Sequence, residues 1–160
     1  MKVFLFTTLV MFLSFINNTS DNKTAREYYL KASEDKDYAD KLKTFTQTRI
    51  NTPLMQAYNG VALAILAKHS WNPYTKLEHV KSGLKNINDA VNTQNNDLEI
   101  RFLRFSVEEN IPSVVPFTSH IQEDKKFILK NWNKTHEFYS TMSAYLKKSS
   151  QFTEEEKKKL

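Results

Sequence analysis

The chain has 160 residues, with 23 basic and 18 acidic side chains and a formal net charge of +5. That length suits one domain with a sizeable core, and the absence of cysteine excludes disulfides, thiolate metal sites and cysteine nucleophiles. Only two glycines occur, Gly60 and Gly83, so a fold rich in tight β-hairpins is hard to build and helices are favoured.

The first sixteen residues differ from the rest. Lys2 is followed by an apolar run from Val3 to Ile16 and then by a polar run from Asn17 to Lys23. One positive charge, a short apolar stretch and a polar exit are typical of a secretory signal peptide. The run is also shorter than the roughly 20 residues that a spanning helix needs. We therefore expect residues 1–20 to be a signal peptide, with an uncleaved N-terminal anchor as the alternative.

Cleavage is expected between Ser14 and Asp21. The mature chain is then an exported protein, periplasmic or secreted, with no transmembrane span. Residues 21–149 are predicted to form one all-helical domain, and residues 150–160 a charged C-terminal tail.

The first part of the domain has two helical patterns. Thr24 and Glu27 have the spacing of a capping box, which marks the start of a helix. A second apolar pattern with helical spacing begins at Tyr38. We expect one bent helix or two short ones, ending near Gln47.

Two proline signals mark the next helices. Thr52-Pro53 and Asn72-Pro73 each place a capping side chain before a proline at the first helical position. The first of these helices is predicted to end at His69, and the second at the polar connection 93–95. Small residues on the first helix predict close approach to a neighbour and burial on more than one side; they are Ala57, Gly60 and Ala64.

The remaining elements are shorter. Asn96-Asp97 predicts the start of a helix that continues to about Glu109, and residues 110–118, with two prolines, are the long irregular piece. Ser119 is expected to cap a helix that includes Trp132, and a last amphipathic stretch is predicted over 136–146. Thr153 opens a capped, salt-paired turn whose surroundings we expect to be solvated and frayed. Short links between the helices imply antiparallel hairpins, so the predicted fold is all-α.

One region resembles a known repeat. Small, large, small and turn residues stand at spacings of four, three and five, as in the second helix of a tetratricopeptide repeat; they are Gly83, Ile87, Ala90 and Asn95. The preceding helix is similar to a first helix, and the resemblance covers about residues 53–109. Asn95 stands where the repeat usually has proline, and no strict period of about 34 residues is present. The resemblance implies an array of helical hairpins, with an irregular helical bundle as the alternative.

The whole chain is also similar to small exported proteins of the Bacteroidetes group. Those proteins carry a run like that at residues 99–105, Glu-Ile-Arg-Phe-Leu-Arg-Phe. The similarity implies no activity.

Candidate binding residues centre on two arginines. Arg101 and Arg104 lie three residues apart on one helical face, and guanidinium groups there suit an acidic or C-terminal carboxylate of a peptide. The alternative is pairing within the chain, with Glu99, Glu108 or Asp124. Further candidates for a concave binding side are Tyr58, Asn59 and Trp71.

Catalytic and metal sites find little support in the sequence. The four histidines do not share the spacing of a ligand pair on one helical face, so no metal and no cofactor is expected; they are His69, His79, His120 and His136. The leading interpretation is a non-catalytic module that binds a protein or peptide partner in a helical groove. The alternatives are a small enzyme or enzyme accessory using the two arginines with His69 or His120, and a structural envelope or stress protein with no groove. No nucleic-acid partner is expected, because acids interrupt the positive charge.

Overall fold

The structure is a computed structural model that describes residues 19–160. The predicted signal peptide falls almost entirely outside the described residues. Within 19–160 the chain is helical and contains no strand, so the all-α prediction is confirmed. No helix in this range is long and apolar enough to cross a membrane.

The helices are α1 (19–32), α2 (Lys36–Gln47), α3 (Pro53–His69), α4 (Pro73–Thr93), α5 (Leu98–Glu109), α6 (Ile121–Lys130), α7 (Tyr139–Leu146) and α8 (Glu154–Lys157).

Side-chain caps fix the starts of the three central helices. The Thr52 hydroxyl accepts a hydrogen bond from the amide of Met55. The side-chain carbonyl oxygen of Asn72 accepts hydrogen bonds from backbone amides in the first turn of α4. The Asp97 carboxylate does the same in the first turn of α5. Because these caps satisfy amides that the helix itself leaves unpaired, the predicted starts of α3, α4 and α5 are confirmed.

The predicted start of the first helix is wrong. Thr24 lies inside α1, where its hydroxyl donates to the carbonyl oxygen of Ser20 at 3.1 Å instead of capping. A turn then separates α1 from α2, and the Asp35 carboxylate caps α2 by accepting from the amide of Asp37. The segment therefore forms two helices, and the second ends at Gln47 as expected.

The core forms around α3, α4 and α5. The α3–α4 hairpin packs along its length, and α5 packs against α3, α4 and α6. Every residue of α5 from Leu98 to Glu108 is buried, including its charged ones. Phe102, Phe105 and Tyr58 are the largest fully buried side chains. Ala57 and Gly60 are buried and Ala64 is half-buried. Gly60 contacts the backbone of Gly83 in α4, which confirms the predicted close approach of α3 to a neighbouring helix.

The boundaries of α6 and α7 differ from the expected ones. His120 stands at the N-cap of α6 and makes no side-chain cap, while Ser119 accepts from the amide of Ile121 one position earlier. Trp132 lies beyond the end of α6. Residues 131–138 form turns rather than the start of a helix, and the His136 ring accepts from the amide of Phe138 at 3.0 Å.

The C-terminal segment is packed, not frayed. Phe152 and Leu160 are buried in the core. The carbonyl oxygen of Leu160 accepts from the Tyr139 hydroxyl at 2.9 Å and from the Ser143 hydroxyl at 2.8 Å. The predicted capping box at Thr153 is present, and most side chains of residues 153–159 are exposed as expected. The segment is not frayed, however, because α7 offers an apolar surface and two hydroxyl donors to Leu160.

Candidate functional site

The described chain contains a groove of about 720 Å³. Its walls come from α1, α3, α4, α5 and α7 and from the irregular segment that follows α5. A volume of this size is typical of ligand-binding clefts. The apolar part of the wall is formed mainly by Leu30, Val61, Ile65, Val80, Val107 and Val115.

The irregular segment exists because α5 cannot continue. Asn110 ends α5, and Pro112 follows two residues later, where a helix would need its missing amide donor. The chain therefore turns away, and Ile111, Pro112 and Val115 form one wall of the groove. The small side chains Ala64 and Ala144 keep the space between the walls open.

Tyr145 forms a fixed polar point in the groove. Its hydroxyl lies 3.2 Å from the carbonyl oxygen of Ser106 and 3.0 Å from a carboxylate oxygen of Glu109, and it accepts from the Asn110 amide at 2.7 Å. Burial, together with the charge of Glu109, raises the pKa of Tyr145 far above its ordinary value. The phenol is therefore neutral and its ring, edge-on to Phe102, is held in place.

Three lysines lie on the rim of the groove and carry its charge. Lys68 ends α3, Lys76 lies in the first turns of α4, and Lys148 follows α7. All three are exposed and none forms an ion pair with a described residue. Among residues 19–160, no aspartate, glutamate or histidine lines the groove, although the Glu109 carboxylate contacts the lining residue Tyr145. We call these three residues the groove lysines.

The groove wall also offers unused hydrogen-bonding groups. Ser33 and Thr141 line the cleft, and their hydroxyls form no hydrogen bond with a described residue. Such groups suit the amides and carbonyls of a peptide backbone, which lose their water on binding and need new partners.

The two predicted arginines lie elsewhere, in a buried ion cluster. Arg104 binds both carboxylate oxygens of Asp124 at 2.7 Å, and Arg101 binds the same carboxylate at 3.0 Å. Asp124 is fully buried, whereas Glu123, which contacts both arginines, is half exposed. The pairing with Asp124 that the sequence left open is therefore present. Neither arginine lines the groove, and their role in binding stays a prediction.

The other three candidates are also outside the groove lining. Tyr58 is buried and donates to Glu99 at 2.5 Å, while Arg26 binds the same carboxylate. Burial and the charge of Glu99 raise the pKa of Tyr58 well above its ordinary value. Asn59 bonds Thr46 and Asn86 within the core.

Trp71 lies apart from the other candidates, on the turn between α3 and α4. Its side chain is 100% exposed. The structure thus brings Arg101 and Arg104 together, but it gathers no common site from the five predicted residues.

The histidines make separate contacts. His120 Nδ1 lies 2.8 Å from the Glu108 carboxylate, and His136 Nε2 lies 3.7 Å from Glu99. His69 Nε2 and His79 Nδ1 are buried without a hydrogen-bond partner among the described residues. No group of three or more potential ligands within residues 19–160 could hold a metal ion.

Sequence reasoning missed the groove lysines and Tyr145. Lys68 and Lys76 flank the α3–α4 turn, but Tyr145 and Lys148 come from the C-terminal part of the chain, so the four positions form no local motif. The available signal was indirect: the two prolines that break the chain after α5 mark the irregular wall.

No protein family, no curated protein and no solved structure matches this chain.

Proposed function

We propose that this protein is a non-catalytic interaction module that holds an apolar segment of a protein or peptide partner in the groove. The observation that carries the proposal is the composition of the cleft. It is about 720 Å³ in volume, apolar along most of its wall, and lined by no aspartate, glutamate or histidine that could act as an acid or base.

The unused hydroxyls of Ser33 and Thr141 support a peptide occupant. An extended peptide could place apolar side chains between the walls and direct backbone groups to these hydroxyls.

The proposal includes export and a scaffold of tetratricopeptide-like hairpins. The sequence pattern of residues 1–20 supports export to the periplasm or beyond the cell. The close α3–α4 hairpin, built on small residues, supports a hairpin scaffold. A catalytic alternative would need free arginine or histidine groups in one cleft. Arg101, Arg104 and His120 bind carboxylates of the same chain, and His69, whose Nε2 has no partner among the described residues, does not line the groove.

Selection from a random dodecapeptide display library tests this function. Selected peptides are then titrated by fluorescence polarisation against the natural protein and two variants. Ala144→Trp fills the groove from an exposed position of α7, and Ser82→Trp adds the same bulk at an exposed position of α4 outside the groove. We expect Ala144→Trp to weaken binding at least about tenfold, because the inserted ring occupies the space of the ligand, and Ser82→Trp to leave it unchanged.

Two results would overturn the proposed function. One is the absence of any reproducible selected peptide. The other is a set of peptides whose affinity is equal for the natural protein and Ala144→Trp, which would place their site elsewhere.

A further inference from the structure

We infer that the segment bound in the groove is acidic, with apolar side chains between the walls and carboxylates that pair with the groove lysines. The inference rests on the proposed function, since it describes the ligand of the same groove. It commits to an acidic protein or peptide segment as the occupant.

The positive charge of the groove lysines is not balanced within the lining of the groove. The four arginines within residues 19–160 each bind a carboxylate of their own protein, as Arg26 does with Glu99. The groove lysines have no such partner, and the lining contains no acid. A cleft with one sign of charge and apolar walls attracts ligands of the opposite sign.

The three groove lysines do not come from one charged run of the sequence. Lys68 and Lys76 lie on either side of the turn between α3 and α4, and Lys148 follows α7, so the three share one lining without belonging to one run of charge. The fold brings them together around an apolar surface. Their long aliphatic stems can extend that surface while the ammonium groups stay in water.

The geometry also predicts the size of the effect. Exposed ion pairs contribute little individually, roughly twofold to fivefold in affinity for each pair. Three such pairs would give a preference for an anionic ligand on the order of tenfold, and salt would reduce it. Charge would thus select the ligand, while the apolar walls would supply most of the affinity.

A matched pair of fluorescent probes tests the charge preference. Anilinonaphthalene sulfonate and N-phenylnaphthylamine share one aromatic skeleton, and the first carries an added sulfonate. Because the probe carries one negative charge, we expect the purified protein to bind the sulfonate about twofold to fivefold more tightly at low salt. The triple variant Lys68→Gln, Lys76→Gln, Lys148→Gln should lose this difference and keep its affinity for the neutral probe.

A second triple variant controls for net charge. Lys126→Gln, Lys130→Gln and Lys134→Gln remove three exposed lysines outside the groove. This variant should retain the preference for the sulfonate. Far-ultraviolet circular dichroism of both variants checks that the helices are intact, as expected for exposed positions without ion pairs.

The outcomes separate the inference from the proposed function. Equal affinity for the two probes, or a preference that survives the groove substitutions, would overturn the acidic ligand while leaving a groove that binds apolar segments. If neither probe competes with the selected peptides whose binding Ala144→Trp weakens, the result would count against the groove as a binding site.

The nature of the occupant is tested by displacement. Peptides from the display selection should be enriched in aspartate and glutamate and should displace the bound sulfonate probe. Displacement by sodium palmitate, with no displacement by any selected peptide, would overturn the peptide assignment in favour of a free long-chain carboxylate.

Discussion

The backbones of α3 and α4 meet at Gly60 and Gly83. A methyl group built on Gly60 would lie 2.5 Å from the carbonyl oxygen of Gly83, and one on Gly83 would lie 2.6 Å from the carbonyl oxygen of Gly60. Because neither glycine has a side chain, the two helix backbones contact each other directly at these positions. This contact sets the separation of two helices that both contribute residues to the groove.

The substitution Gly60→Ala should therefore destabilise the protein, although alanine is the better helix former by about 1 kcal/mol. The added methyl group would also lie 2.6 Å from the Ile87 side chain, and overpacking of this kind typically costs about 1–3 kcal/mol. We expect a net loss in the free energy of unfolding, measured by urea denaturation. Ser82→Ala, at an exposed position of α4, is the control and should change stability little. An increase in stability for Gly60→Ala would contradict the close contact.

Asp124 is the single carboxylate on which Arg101 and Arg104 converge. Asp124→Asn keeps the shape of the side chain but removes its charge, so two buried guanidinium groups lose their fully buried counter-ion. Removal of one partner from a buried ion cluster typically costs about 3–5 kcal/mol. We expect a loss of that order in the free energy of unfolding.

The matched control for Asp124→Asn is Glu123→Gln. Glu123 contacts the same two arginines, but its side chain is 55% exposed. Solvent screens such a pair, so we expect a loss of about 1 kcal/mol or less. Equal losses in the two variants would show that burial of Asp124 does not decide the strength of the cluster.

Features set by neighbouring residues could be predicted from the sequence, whereas features set by tertiary packing could not. The starts of α3 and α4 at Pro53 and Pro73 were predictable, because a capping side chain followed by proline acts within one turn. Asp124 was among the possible partners of the arginines, but its selection depends on how α6 packs on α5. The groove lysines were not predictable, since only the tertiary fold brings them together.

The C-terminal segment shows the same limit. Phe152 and Leu160 stand among charged residues in the sequence, a context typical of a solvated tail. Their burial depends on an apolar surface and hydroxyl donors from α7 and from the core. No local pattern within residues 150–160 carries that information.

Leu160→Ala should consequently destabilise the protein even though the change lies at the last residue. Leu160 is only 2% exposed and packs in the core, and a buried leucine replaced by alanine typically costs about 2–5 kcal/mol. We expect a loss within this range. Thermal unfolding followed by circular dichroism measures the effect. Lys159→Ala, at the exposed neighbouring position, should be nearly neutral, and equal melting temperatures for both variants would refute the packing of Leu160.

Stability should also fall in acid. The hydrogen bond from Arg101, with the nearby positive charges, lowers the pKa of Glu123 below its ordinary value of 4.5. Lys125 lowers the pKa of Glu156 in the same way. The unfolded chain therefore binds protons at these groups before the folded chain does, so their contribution is present above about pH 4.5 and is lost as the pH falls through the lowered values.

Urea denaturation between about pH 5 and pH 3 measures this dependence. We expect Glu123→Gln to flatten the decline of unfolding free energy over that range, because the substituted residue has no proton to take up. Glu155→Gln serves as the control, since Glu155 is exposed and forms no ion pair with a described residue. If the curve of Glu123→Gln runs parallel to that of the natural protein, the pairing with Arg101 does not persist in solution.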